Sequence, residues 1–188
     1  MRRLKLIAIT RESFFDDEAA LIMRLLDGRI DRVHVRKPEA SENEVRKLLD
    51  SIHEKYRTRI SLHDHLSLAN EYALGGVHLN RRNPEPPAGY AGLISRSCHS
   101  LKELEAASDA GYAFLSPVFD SISKVGYSST FTIETLRQAA TEGILNSTTI
   151  ALGGITPDKL PLLESIGFGG AALLGHVWNN PEDFCKPE

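Results

Sequence analysis

Short apolar runs alternate with stretches of helical spacing along nearly the whole chain. Leu4–Thr10 reads as a buried strand, and Glu18–Leu26 (EAALIMRLL) has the three-and-four spacing of a helix. Arg32–Arg36 (RVHVR) reads as a second strand, with Val33 and Val35 on one face and His34 and Arg36 on the other. Ser41 opens SENEVRKLLDSIHEKY, and Glu44 three residues on completes a capping-box signature. Arg59–His63 is the third strand, Leu66–Ala73 a short helix, and Gly76–Asn80 the fourth strand. Arg81–Gly92 holds three prolines and two glycines, which forbid regular structure. Leu93–His99 is the fifth strand, followed by a helix capped by Ser100, and Tyr112–Phe119 is the sixth. A polar loop over Asp120–Thr130 leads to a helix at Thr132–Ala140 and a seventh strand at Thr148–Gly153. Pro157 starts a helix after Thr156, and Gly170–Val177 is the eighth strand.

Eight β/α units with near-continuous apolar strands predict a parallel sheet covered on both faces. The expected fold is an α/β TIM (β/α)8 barrel, with an open doubly wound sheet as the alternative. Residues 1–188 are expected to form a single domain, with its core over about 4–178 and a short polar C-terminal tail. A chain of 188 residues suffices for one full core. The net charge of −3 offers no basic surface for nucleic acid or an anionic membrane. Two cysteines, Cys98 and Cys185, are too few for an extracellular disulfide framework, so a cytoplasmic protein is expected. The apolar run after the N-terminal arginines is only about four residues, too short for a signal-peptide core or a membrane span.

Six of the seven histidines (His34, His63, His65, His78, His99 and His176) fall inside or at the ends of expected strands. Titratable groups there are expensive to bury unless they line a site or are satisfied by partners. His63-Asp64-His65 ends the third strand, and continued alternation would set the two histidines on one side and Asp64 on the other. A His-x-His pair suits the zinc site of an amidohydrolase. Asp64 alone suits Mg²⁺ shared with a phosphate. Gly153 and Gly154 end the seventh strand, and Gly175 lies in Leu174-Gly175-His176. Barrels often bind phosphate after strands seven and eight, where glycine admits the anion; a plain tight turn needs glycine as well. Ser121, Ser123 and Lys124 fill the loop after strand six with hydroxyls and an ammonium, apt for pyrophosphate or simply for solvent. Arg36 and Lys37 end the second strand as cationic partners for such an anion.

Read together, the strand ends resemble the thiamin-phosphate synthase family, which includes the TenI-like thiazole tautomerases. The resemblance runs from about Leu6 to Val177 through HVRKP, SLHDHLSLANEYALGGVHLN, SRSCHSLKELEAASDAGYAFLSPVF, DSISKVG and ALGGI, in that order. It implies a TIM barrel, phosphorylated small-molecule substrates, Mg²⁺ and a homo-oligomer, with no nucleic-acid or membrane partner. The implied reaction joins hydroxymethylpyrimidine pyrophosphate to hydroxyethylthiazole phosphate and releases pyrophosphate. By this resemblance Asp64 matches a magnesium aspartate, and Arg36, Ser97 and Lys124 match pyrophosphate-binding residues. Ser121 and Ser123 belong to the same loop as Lys124, and Gly153 or Gly154 matches the thiazole-phosphate turn. The chain departs from the family at His34, where the family has glutamine, and at His63, where it has asparagine. Pro38 replaces a second basic residue, with Lys37 beside it to compensate. Asn83 aligns with the second magnesium aspartate, and Gly175 replaces a small hydroxyl residue near the thiazole phosphate. Pro117 stands where the tautomerases carry a histidine. The alternative is a divergent TenI-like thiazole tautomerase, or a thiazole-phosphate-binding protein without synthase activity.

Overall fold

Eight parallel strands follow one another in chain order and close into a barrel in the computed structural model of the protein. They are β1 (Lys5–Ile9), β2 (Arg32–Val35), β3 (Ile60–Leu62), β4 (Gly76–Leu79), β5 (Leu93–Cys98), β6 (Tyr112–Leu115), β7 (Thr149–Leu152) and β8 (Gly170–Leu173). The structure describes residues 3–107, 109–120 and 131–186. The helices are α1 (Glu18–Asp27), α2 (Glu42–Asp50), α3 (Leu68–Glu71), α4 (Leu101–Ala106), α5 (Ile133–Thr141), α6 (Leu160–Ile166) and α7 (Gly175–Asn179). The closed strand order sets aside the open doubly wound alternative.

Backbone contacts group the chain into two compact units, Ile7–Ile94 with Leu174–Glu188, and Met1–Leu6 with Ser95–Leu173. In the first unit, His34 pairs with Ser61 across β2 and β3, and Ser61 with Gly76 across β3 and β4. Residues in register on parallel strands share a face, and faces repeat every two residues. His34, Ser61, Gly76 and His78 therefore share one side, while Val33, Val35, Leu62 and Val77 occupy the other. Arg32 belongs to the polar side and donates from Nη1 to Ser61 Oγ at 3.1 Å. In the second unit the register Ser97–Phe114–Ile150–Gly170 sets Ser97 in one row with two apolar side chains and a glycine across β5 to β8.

Helix boundaries follow local chemistry. Ser41 caps α2 with a complete capping box, its N–H donating to Glu44 Oε2 at 2.8 Å. Val45, Leu48 and Leu49 form the buried face of α2. The helix stops at Asp50 rather than running on to Tyr56; Glu54–Arg59 is a separate 3₁₀ helix, with His53 Nδ1 accepting from Lys55 N–H at 3.2 Å. Every strand is shorter than its apolar run, and three of the shortened ends bear on the site. β6 ends at Leu115, ahead of Pro117, which lacks the N–H a ladder needs. The third strand ends at Leu62, before His63. The apolar run Gly170–Val177 is split at Leu174 into β8 and α7, so Gly175 and His176 lie on a helix, not a strand.

Candidate active site

Three imidazoles converge on the polar side of β2, β3 and β4. His34 comes from β2, His78 from β4, and His63 directly follows β3, held by its N–H donating to the Val35 carbonyl at 3.0 Å. His34 Nδ1 and His63 Nε2 share a hydrogen bond of 2.8 Å. The His63 and His78 rings stack with centroids 4.1 Å apart. The His34 and His78 rings meet edge to face at 5.6 Å. Side chains from two strands separated by a third touch only on the concave face of a curved sheet, so the cluster lies on the barrel's inner side. All three residues are buried. Burial pushes every one of these imidazoles down, His78 to about 3 and His34 and His63 well below the usual histidine range. The positive charges of Arg32 near His34, of Arg36 and Arg82 near His63, and of Arg36 near His78 act in the same direction.

Asp64 follows on the same loop. Its Oδ1 accepts two hydrogen bonds from Arg82, from Nη2 at 2.8 Å and from Nε at 3.2 Å. Its Oδ2 is buried and has no partner among the described residues. An unpaired buried carboxylate oxygen is costly unless something arrives to satisfy it. Asn83 stands close by. Its Nδ2 donates to the His63 carbonyl at 3.0 Å, as does Asn80 Nδ2, so two side-chain amides pin the turn that carries Asp64. His65 does not join His63 on one face. Its backbone is left-handed at φ 52°, which breaks the alternation, and its Nε2 donates to the Ala40 carbonyl at 2.7 Å. The His-x-His pair is thus no metal nest; His63 finds its partners on neighbouring strands.

The two cations ending β2 part company. Arg36 pairs through Nη1 with Glu12 at 2.5 Å, and its N–H donates to Thr10 Oγ1 at 2.9 Å. Lys37 is fully buried, with Nζ donating to both carboxylate oxygens of Glu18 and to the Ser13 carbonyl. It is therefore not available to replace the basic residue lost at Pro38. Trp178 on α7 ties the chain's end back to β1 by donating from Nε1 to the Ile9 carbonyl at 2.6 Å. A groove of about 520 Å³ between Phe14, Met23, Lys47 and Leu48 lies against α1 and α2 and contains none of the candidate residues.

In the other unit, Ser97 sits on β5 in register with Phe114, half-buried. Gly153 and Gly154 both have left-handed backbones, at φ 101° and 62°. A Cβ at Gly153 would crowd Pro117, and one at Gly154 would overlap the Asp120 carbonyl oxygen. Packing alone thus requires both glycines. Lys159 reaches back from the following 3₁₀ turn to donate to the Gly154 carbonyl at 2.5 Å. Ser121, Ser123 and Lys124 lie outside the described residues.

Sequence reasoning gave no specific role to three participants, although His78 stood among the strand histidines. Arg82 was signalled by the basic pair Arg81-Arg82 just before Asn83, and His78 by its place two residues after Gly76 in GVHL. Lys159, five residues past Gly154, had no local signal.

A closed parallel barrel of eight strands with polar side chains at strand ends is a (β/α)8 enzyme scaffold. The chain belongs to the family described as thiamine monophosphate synthase, whose profile matches residues 6–177. It is 28% identical over 186 residues to the thiamine-phosphate synthase of Halalkalibacterium halodurans, an alignment covering 93% of this chain and 86% of that one. It is 25% identical over 173 residues to that of Photorhabdus laumondii, covering 86% and 79%. Among solved structures, a thiamine phosphate pyrophosphorylase from Bacteroides thetaiotaomicron superposes with a TM-score of 0.85 at 42% identity, covering 94% of this chain and 85% of that one.

Proposed function

We propose that the protein is a thiamin-phosphate synthase, a transferase of thiamin biosynthesis. It joins hydroxymethylpyrimidine pyrophosphate to hydroxyethylthiazole phosphate and releases pyrophosphate. The observation that carries this reading is Asp64: a buried carboxylate at a barrel strand end, with Oδ2 unpartnered among the described residues and Arg82 alongside. One carboxylate, the amide oxygen of Asn83 and the substrate's own phosphate oxygens form a donor set that fits Mg²⁺. When bound, Mg²⁺ neutralises charge on the pyrophosphate. Arg36, Ser97 and Lys124 bind the departing pyrophosphate, with Ser121 and Ser123 on the same loop. His34 and His63, in place of the family's glutamine and its pyrophosphate-contacting asparagine, bind substrate. Gly153, Gly154 and Gly175 take the thiazole phosphate. Pro117 in place of a tautomerase histidine supports the synthase over the TenI-like tautomerase.

Preorganised donors stabilise the leaving group as charge develops on it, and removing one typically costs ~3 kcal/mol. The test is a coupling assay with both substrates and Mg²⁺, detecting thiamin phosphate as its fluorescent oxidation product. Turnover is expected, with Lys124→Ala slower by about tenfold or more in a folded protein. Thiazole-phosphate binding without turnover would instead assign the chain to the tautomerase-like or binding-only branch. No described helix is long and apolar enough to cross a membrane. A cytoplasmic homo-oligomer completes the proposal, checked by fractionation and by light scattering.

A further inference from the structure

We propose that His34, His63 and His78 form a binding site for a divalent transition-metal ion of the zinc class, separate in chemistry from the Mg²⁺ site at Asp64. One ring nitrogen from each residue lies within 4.8 Å of the other two, and all three residues are buried. Three imidazoles are the ligand set of an open zinc site, with a fourth position left for water or substrate. The choice of metal follows from the donors: imidazole suits zinc, cobalt and nickel, whereas Mg²⁺ demands oxygen. Two nitrogens each ~2.1 Å from a tetrahedral zinc stand about 3.4 Å apart. The His34–His63 contact is 2.8 Å, so the ion replaces that hydrogen bond and spreads the two rings by about half an ångström. The His63 and His78 rings, stacked at 18° with centroids 4.1 Å apart, must also swing out of the stack so that their in-plane lone pairs converge on the ion, while the backbone carrying His63 stays pinned by Asn80 and Asn83.

Charge defines the fourth ligand. The three imidazoles are neutral, and Arg32, Arg36 and Arg82 act on them as positive neighbours. The +2 charge is thus uncompensated by its own ligands, and the open position favours an anionic oxygen such as hydroxide or phosphate.

The experiment uses tag-free full-length protein, stripped with chelator and titrated with Zn²⁺ alone and with Co²⁺ alone. One equivalent of Zn²⁺ per chain is expected. Bound Co²⁺ should give the intense visible bands of a four-coordinate ion, and X-ray absorption should count three imidazoles. Excess Mg²⁺ and the substitution Asp64→Asn should leave zinc bound. His34→Gln and His78→Gln should each weaken Zn²⁺ by about 100-fold or more, since even outer-shell changes reach that range. No stoichiometric zinc, or zinc binding undiminished in folded variants, would overturn the site. If a variant does not fold, the cobalt spectrum and imidazole count of the unaltered protein decide. None of these readouts depends on turnover, so failure of the zinc site and failure of the synthase reading, which also uses His34 and His63, are distinguishable.

Discussion

A histidine held at about 3 inside a barrel links acidity to stability. In the metal-free protein His34, His63 and His78 all have folded-state values below the ~6.5 of an unfolded chain. Above that value both states hold them neutral, and their contribution to stability is fully present. As the pH falls, the unfolded chain takes up protons that the folded one refuses, so stability drops from about pH 6.5 towards pH 3. Three such groups give a slope approaching about 4 kcal/mol per pH unit. Denaturant titrations at stepwise lower pH should show the fall, and a His34→Gln, His63→Gln double variant should flatten it. An unchanged slope would mean that other groups govern acid unfolding. Asp64→Asn belongs to the same scale. On the proposed magnesium role of Asp64 it removes a ligand charge, so the Mg²⁺ concentration needed for half-maximal turnover should rise by about tenfold or more. If metal dependence does not move, Asp64 serves only Arg82.

At the scale of elements, the pattern of apolar positions foretold all eight strands, because parallel strands covered on both faces read as short apolar runs. It failed where an apolar run continued across a change of element. Gly170–Val177 gave no sign of breaking at Leu174, since α7 buries Val177 and Trp178 as fully as β8 buries its own residues. The candidate site was half legible. Asp64, His34 and His63 were readable as polar groups in apolar surroundings. Their convergence with His78 depends on the register of three strands, which no single segment encodes. Lys37 looked like a ligand for an anion, and its true partner lies 19 residues earlier on α1. A further element-scale device is the foot of β4. A Cβ at Gly75 would overlap the Thr58 carbonyl oxygen, while Gly75 N–H donates to the Arg57 carbonyl at 2.9 Å. Backbone there cannot yield cheaply, so Gly75→Ala should destabilise by about 2 kcal/mol or more, measured by urea denaturation. A neutral result would show that the 3₁₀ segment before β3 is free to shift.

At the scale of the molecule, the eight strands follow one another in chain order around a closed barrel. We propose that the chain is accordingly one domain, and that calorimetry will show a single two-state transition; two resolved transitions would divide it. The buried pair of Lys37 and Glu18 has a bearing on how such a chain changes over generations. The two ions are sealed from solvent at 2.8 Å, and burial pushes Lys37 down and Glu18 up while each holds the other charged. Removing either one strands its partner, at a cost of about 3–5 kcal/mol, whereas apolar residues of similar size at both positions are often neutral. Lys37→Met and Glu18→Leu should each be damaging and the double change nearly silent, a strong non-additivity that a thermodynamic cycle will measure. Neither residue can then drift first. Descendants of this sequence are expected to keep both ions or neither, separated by a valley that single substitutions do not cross.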